Sequence, residues 1–253
     1  ADEVHGLHLI ALAVAMLLGS AASSVLNHFY DRDIDRLMAR TARRPLASGM
    51  LDRPERVLAL AALLLAAGVG LALVAFNWVV AAHLFLGAFI YGVVYTVWLK
   101  RRTWLNIVIG GAAGSFAVLA GGAAVDPGQW LLPTVLAVFL FLWTPSHFWA
   151  LAILLKDDYA RAGVPMLPCL VGEARAARCI LINSVLLVAS SLAPLAFGGL
   201  GALYGGVAGA AGLFFLVFHR ARRGYDDIDR TEDKSSIWPP PPWRANRVEY
   251  IRQ

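Results

Sequence analysis

Apolar residues dominate the chain in blocks that are each about as long as a lipid bilayer is thick. Seven such blocks are separated by breakers or charges, at roughly 7–26, 57–76, 78–99, 105–124, 130–155, 179–198 and 200–219. About 20 apolar residues are needed for a helix to cross the hydrocarbon core. The pattern therefore predicts an all-α polytopic transmembrane bundle over residues 1–219, followed over residues 220–253 by a polar tail that contains prolines 239–242.

The composition supports a membrane protein over a soluble one with long buried helices, which is the alternative. Of the 253 residues, 59% are hydrophobic and 15% are charged, whereas a soluble domain carries nearer a quarter charged residues. The net charge of +5 is spread over loops between the apolar blocks, so we expect a lipid bilayer and no nucleic acid as partner. The two cysteines, Cys169 and Cys179, lack the spacing of metal ligands.

Basic and non-basic connections alternate along the chain, which predicts its orientation. Connections after the first, third, fifth and seventh blocks carry Lys and Arg, and the other three carry none. By the positive-inside rule, the basic loops are cytoplasmic and the N-terminus is outside. The chain opens on Ala1 with no basic segment, so we expect no signal peptide and a processed or excised chain.

The strongest chemical pattern follows the first apolar block. Asn27, Asp31 and Asp35 are spaced i, i+4, i+8, so on a continuing helix they share one face, with about 6 Å of rise between neighbours. Two stacked carboxylates repel each other unless a cation lies near, and Mg²⁺ commonly bridges carboxylates to substrate phosphates. Asp33 points to the other side, and we expect it to pair with Arg32 or Arg36. A solvated, charge-rich loop is the alternative interpretation.

Basic side chains follow that are suited to a diphosphate. Arg40, Arg43 and Arg44 come soon after the carboxylates, and the planar guanidinium matches phosphate oxygens. Lys100 and Arg101, after the third block, could join them. Their plain alternative is a role in membrane topology alone.

A second acidic site follows the fifth block, on the same predicted side. It contains Asp157, Asp158 and Tyr159. Adjacent aspartates on a helix point about 100° apart. We favour Asp158 as a second metal ligand, and Asp157 remains open.

His147 lies inside the fifth block, after Pro145. Polar groups within membrane spans often have a function. This histidine could bind heme iron, orient a substrate or move a proton, and a hydrogen-bonded core histidine is the alternative.

Together these motifs resemble the UbiA-type intramembrane prenyltransferases, whose hallmark is N-x-x-x-D-x-x-x-D with a second Asp-rich loop. The runs at 31–46, 95–101, 106–114, 147–151 and 158–168 resemble more specifically the branch of that family that makes heme O. The family pattern is nine helices with a cytoplasmic N-terminus. This chain therefore resembles a fragment or divergent copy that lacks the first and last family helices.

The resemblance implies Mg²⁺-dependent farnesyl transfer from farnesyl diphosphate to a vinyl group of heme b, in a bacterial plasma membrane or, as second choice, the mitochondrial inner membrane. It implies Asn27, Asp31, Asp35 and Asp158 around the metal, with His147 on the acceptor side. The other residues that it assigns to substrate are Arg40, Arg43, Arg44, Lys100, Arg101 and Tyr159. Terminal-oxidase assembly proteins are a further expected partner. The alternatives are another prenyl acceptor such as a quinone, a transporter or channel, and an inactive membrane protein.

Overall fold

In the computed structural model, residues 6–51, 53–197 and 200–229 are described, with side chains to residue 217. These ranges form eleven α-helices and one π-helical segment. The helices are α1 (Gly6–Tyr30), α2 (Arg32–Asp35), α3 (Arg56–Ala75), α4 (Trp78–Phe89), the π segment (Ile90–Leu99), α5 (Asn106–Gly110), α6 (Ala112–Val125), α7 (Leu131–Leu154), α8 (Lys156–Arg161), α9 (Leu167–Val171), α10 (Glu173–Phe197) and α11 (Ala202–Asp229).

Six helical segments are long and apolar enough to cross a membrane. They match the first six predicted blocks and run Gly6–Tyr30, Arg56–Ala75, Trp78–Leu99, Asn106–Val125, Leu131–Leu154 and Glu173–Phe197. The seventh block is the shorter apolar part of α11, Ala202–Val217. The described ranges contain no strand, so the all-α membrane class is confirmed, while the count of seven spans stays a prediction.

The expected polar tail begins within α11. That helix continues to Asp229, so residues 220–229 are helical and are not an extended segment. The rest of the tail, including the prolines at 239–242, lies outside the described residues. The domain boundary at residue 219 therefore stays a prediction.

Membrane helices that follow each other in sequence pack side by side. α1 lies against α3, α3 against α4, α4 against α6, α6 against α7, and α7 against α10. The α1–α3 contact is tightest at Gly68, where an added Cβ would lie 3.0 Å from the Ala15 carbonyl oxygen. Small residues allow such close approach between membrane helices. Helix α1, which leads into the candidate site, therefore packs closely against α3.

Three connections meet at one end of this bundle, which we call the basic end (residues 31–51, 99–106 and 155–172). A single buried apolar cluster joins Ile34 and Met38 from the first connection to Tyr159, Val164 and Met166 from the last. These segments are more than a hundred residues apart in sequence. The cluster places the two acidic motifs at the same end of the molecule.

The π segment replaces the last part of the third span. Its i→i−5 bonding continues to Lys100, whose backbone N–H donates to the Tyr95 carbonyl at 2.8 Å. π-helical insertions are rare and frequently occur at functional sites. This one ends where Lys100 and Arg101 enter the basic end.

α7 contains Pro145, which has no N–H to donate and so interrupts the helix's own hydrogen bonding. A side chain from α10 lies beside this interruption. Asn183 Nδ2 donates to the Leu142 carbonyl at 2.6 Å and to Ser146 Oγ at 2.7 Å. These bonds join α7 to α10 just before α7 leads into the second acidic motif.

Candidate active site at the basic end of the bundle

Asn27, Asp31 and Asp35 form one continuous acidic face. The Asp31 N–H donates to the Asn27 carbonyl at 2.9 Å, and the Asp35 N–H donates to the Asp31 carbonyl at 2.8 Å. Helical hydrogen bonding thus continues across the junction of α1 and α2, as the spacing predicted. All three residues are buried: Asn27 is 5% exposed, Asp31 0% and Asp35 2%. They do not belong to a solvated loop.

Asp31 is neutralised by cations that come from the end of the π segment. Lys100 Nζ pairs with Asp31 Oδ2, and Arg101 Nη2 lies 3.4 Å from Asp31 Oδ1. Asn27 Nδ2 donates to Asp31 Oδ2 at 2.7 Å. A buried carboxylate is costly unless it is paired and hydrogen-bonded, and these contacts supply both conditions.

Asp35 is neutralised by the arginine-rich loop that follows it. Arg44 Nη1 lies 2.8 Å from Asp35 Oδ2, and Thr41 Oγ1 donates to the Asp35 backbone carbonyl at 2.9 Å. The loop therefore folds back over the acidic face. Arg43 is exposed and has no ion pair in the described part of the chain.

Asp33 forms the expected ion pair, but the predicted partners Arg32 and Arg36 were wrong. Arg101 donates to both carboxylate oxygens of Asp33 at 2.7 Å. This hydrogen bond lowers the pKa of Asp33, against a smaller opposing effect of burial. Arg32 instead lies over the Phe29 ring, and Arg36 donates to the Ala47 carbonyl. The partner lies 68 residues away, so local spacing did not reveal it.

The second acidic motif occupies α8. Asp158 pairs with Arg161, whereas Asp157 is exposed. Tyr159 is buried, which raises the pKa of its hydroxyl, and the positive charge of Arg40 opposes that rise. Arg40 belongs to the first motif's loop, so a charge of the first motif acts on the second motif.

Four candidate carboxylates lie at this end, but they do not form one preassembled cluster. Among the described residues, no group of three or more His, Cys, Asp and Glu lies close enough to hold a metal. Within the described ranges, neither Asp157 nor Asp158 therefore forms such a group with both Asp31 and Asp35. Mg²⁺, however, is typically held by one or two carboxylates together with waters and substrate phosphates.

The donor atoms of the acidic face do fit such an ion. Asp31 and Asp35 offer carboxylate oxygens, which are hard ligands. Asn27 could add its amide oxygen, because both of its described hydrogen bonds use the amide nitrogen. Its carbonyl oxygen, Oδ1, is left to coordinate.

An apolar cavity of about 310 Å³ lies between α1, α3 and the α4–π helix. Its lining includes Ser23, Leu26, Ala62 and Val93. Ser23 is one turn before Asn27 and uses its hydroxyl on the Gly19 carbonyl at 2.7 Å, so the lining offers little polarity. The cavity therefore provides apolar volume next to the acidic face.

Comparison with known proteins identifies the family. The sequence matches the model of the UbiA prenyltransferase family over residues 1–237. The chain belongs to the UbiA prenyltransferase family. The resemblance found in its motifs is thereby confirmed, and membership favours an integral membrane enzyme over a transporter or channel.

Two relatives of this UbiA prenyltransferase come from Paramagnetospirillum magneticum. Protoheme IX farnesyltransferase 1 is 63% identical over 219 residues, which is 87% of this chain and 77% of the relative. Protoheme IX farnesyltransferase 2 is 55% identical over 208 residues, 82% of this chain and 72% of the relative.

Solved structures show the same fold. A UbiA homologue from Archaeoglobus fulgidus bound to DMAPP and Mg²⁺ superposes with a TM-score of 0.72 at 19% identity, covering 99% of this chain and 85% of that one. The homologue bound to GPP and Mg²⁺ also gives 0.72, at 21% identity, with 87% and 78% covered.

His147 of this UbiA prenyltransferase differs from a hydrogen-bonded core histidine. It is exposed and stacks on Trp143, with ring centroids 4.4 Å apart and planes 13° from parallel. Its neighbours Pro145, Ser146 and Trp149 are buried. The structure therefore presents the His147 ring on an accessible aromatic surface.

Two polar residues of the site received no role from sequence reasoning. Thr96 accepts a hydrogen bond from Asn27, and Thr41 donates to the Asp35 carbonyl. Thr96 is a polar residue within a membrane span, which was a usable signal. Its partner could not be predicted because it lies 69 residues away.

Proposed function

We propose that this UbiA prenyltransferase transfers the farnesyl group of farnesyl diphosphate to a vinyl group of heme b, with addition of water, to make heme O. The observation that carries the proposal is the buried acidic face of Asn27, Asp31 and Asp35, neutralised by Lys100 and Arg44. This arrangement suits a metal-bound diphosphate. The acceptor and chain length follow from two relatives at 63% and 55% identity that are named protoheme IX farnesyltransferase.

Asp31, Asp35 and Asn27 Oδ1 are the residues that would hold Mg²⁺. The bound ion would neutralise the charge that develops on the departing diphosphate. Solved UbiA homologues bound to Mg²⁺ with DMAPP or GPP support the use of Mg²⁺ with a prenyl diphosphate. Asp158, with Asp157 as the alternative, would be the second acidic ligand.

The cations at the basic end would change partners when substrate binds. Lys100, Arg101 and Arg44 pair with carboxylates of the acidic face. A metal–diphosphate complex brings both signs of charge, so the carboxylates can bind metal while these cations bind phosphate oxygens. The exposed Arg40 and Arg43 add further donors.

The reaction breaks the C–O bond between farnesyl and diphosphate and forms a C–C bond to the heme vinyl group. Diphosphate leaves with the bonding electron pair, and the allylic cation must be kept from bulk water until the vinyl carbon attacks. The other carbon of the same vinyl group is then attacked by water, which adds as a hydroxyl group and releases a proton. The apolar cavity lined by Ser23 and Leu26 would supply apolar volume for the isoprenoid chain.

On the acceptor side, we assign the accessible ring of His147 to contact with heme b. Its stacked pair with Trp143 offers a flat aromatic surface to a flat macrocycle. A bacterial plasma membrane and contact with terminal-oxidase assembly proteins complete the proposal.

The test is a transfer assay on the whole chain in lipid nanodiscs. Labelled farnesyl diphosphate is supplied with heme b or with an aromatic quinone precursor, with and without Mg²⁺. We expect labelled heme O only with heme b and Mg²⁺, and its loss in Asp31→Ala and Asp35→Ala. Transfer to the quinone precursor alone would overturn the acceptor, and full activity of both variants would overturn the metal site.

A further inference from the structure

We infer that Thr96 is a positioning residue: it fixes the orientation of the Asn27 side-chain amide and thereby presents Asn27 Oδ1 to the metal. The inference rests on the proposed function, since it concerns the same metal site. It adds a residue of the π segment that touches neither substrate nor metal.

Thr96 lies at the meeting point of two hydrogen bonds. It is fully buried, and its Oγ1 lies 2.8 Å from the Tyr91 carbonyl oxygen, five residues earlier in the π segment. The same oxygen lies 3.1 Å from Asn27 Nδ2 on α1. The hydroxyl thus joins the π segment to the acidic face.

Counting protons shows what this hydroxyl does to Asn27. A carbonyl oxygen can only accept, so the one proton of Thr96 is committed to Tyr91. The Thr96 oxygen can then only accept, and the group that faces it must be the NH₂ of Asn27. The second amide proton of Asn27 goes to Asp31 Oδ2 at 2.7 Å. Oδ1 is the remaining atom and is directed away from both partners.

Asp31 alone would not hold this orientation once a metal binds. A carboxylate that coordinated a metal would be a weaker acceptor for the Asn27 amide, which donates to Asp31 Oδ2 at 2.7 Å. The acceptor in the Thr96 contact is a hydroxyl oxygen that is not a proposed metal ligand, so this hydrogen bond would not be weakened in that way. Residues that orient metal ligands in this way typically change metal affinity by about 10–100-fold when mutated.

The π-helical register is what allows Thr96 to act. Its hydroxyl bonds the carbonyl five residues back, whereas a threonine in an α-helix reaches the carbonyl three or four residues back. Thr144 gives a matched contrast in α7: its Oγ1 donates to the Leu140 carbonyl at 3.0 Å, four residues back. Both are threonines within spans, but only Thr96 also accepts from a proposed metal ligand.

The experiment compares Thr96→Val, Thr96→Ser and Thr144→Val in the whole chain in detergent. Thermal unfolding is followed as Mg²⁺ is titrated in the presence of a farnesyl diphosphate analogue whose bond between the farnesyl group and the diphosphate does not break. We expect Thr96→Val to need about tenfold more Mg²⁺ for half-maximal stabilisation. Thr96→Ser keeps the hydroxyl and should match the parent, as should Thr144→Val.

The outcomes separate this inference from the proposed function. If the parent chain shows no Mg²⁺-dependent stabilisation, the proposed metal site is wrong. If the parent responds but Thr96→Val has the same Mg²⁺ midpoint, or Thr96→Ser is as impaired as Thr96→Val, the role of Thr96 is wrong. Should Thr96→Val not fold, Thr96→Ala removes the same hydroxyl with less bulk and is judged by the same midpoint.

Discussion

Lys100 forms an ion pair with the fully buried carboxylate of Asp31, although the two residues are 69 positions apart in sequence. The pair joins the end of the π segment to the acidic face of α1. Each charge allows the other to be buried. The same two groups are those that a metal-bound diphosphate would separate, because Asp31 suits the metal and Lys100 suits a phosphate oxygen.

Replacing Lys100 with Met should weaken binding of the donor substrate. We expect the KM for farnesyl diphosphate to rise about tenfold or more, since a charge-assisted hydrogen bond to phosphate is lost. Steady-state transfer to heme b at varied farnesyl diphosphate measures this. Lys156→Met is the matched control, because Lys156 pairs at 3.1 Å with Glu173, which is not a proposed metal ligand. If the KM changes by the same factor in both variants, the role of Lys100 is contradicted.

The Lys100→Met protein should also be less stable. Removing one partner of a buried ion pair typically costs about 3–5 kcal/mol, because the other charge is left uncompensated. Arg101, 3.4 Å from Asp31, should reduce that loss. Lys100→Met combined with Asp31→Asn should recover part of the unfolding temperature, as no unpaired charge then remains; no recovery would show that the pair is not responsible.

Asp33 should matter for stability only weakly and over a defined pH range. Its pKa lies below the ordinary value of 3.8 because of its hydrogen bond with Arg101, so its stabilisation is present above that value and is lost as the pH falls through the lowered pKa. The side chain is 62% exposed, which limits the effect to about 1 kcal/mol or less. The unfolding temperatures of the parent and Asp33→Asn should differ slightly at pH 7 and 4.5 and converge toward pH 2.5. Convergence already at pH 5 would contradict this assignment.

Replacing Asp158 should reduce prenyl transfer more than replacing Asp157. Asp158 is partly buried and paired with Arg161, whereas Asp157 is exposed. If Asp158 is the second acidic ligand, Asp158→Asn should lower Mg²⁺-dependent transfer by about tenfold or more, and Asp157→Asn by far less. Side-by-side Mg²⁺ titrations of the two variants decide between them, and the reverse order would assign the role to Asp157.

Filling the apolar cavity should affect the isoprenoid chain and not the diphosphate. Ala62 lines the cavity, so Ala62→Phe should raise the KM for farnesyl diphosphate severalfold, in line with 1–3 kcal/mol for a hydrophobic misfit. Inhibition by inorganic diphosphate should stay unchanged. Leu63→Phe is the control, because Leu63 is 67% exposed and does not line the cavity; equal effects in both would remove the cavity from the substrate site.

The sequence alone was sufficient for the features that depend on local spacing. Bilayer-length apolar blocks predicted the helical membrane class, because backbone groups in lipid must be bonded within the segment. The four-residue spacing of Asn27, Asp31 and Asp35 predicted a shared face, because helical geometry fixes that relation without any tertiary contact.

Only the tertiary structure decided which charges meet. In the folded chain, Arg101 pairs with Asp33 and Lys100 pairs with Asp31. Each pair joins separate connections, so its geometry depends on how the helices pack and not on residue spacing. The sequence also did not predict the π-helical segment around Thr96. No pattern of apolar residues there distinguished i→i−5 from i→i−4 backbone hydrogen bonds. Helical periodicity therefore determined that Asn27, Asp31 and Asp35 share a face. Helix packing determined which charged side chains and which hydroxyl, that of Thr96, contact this face.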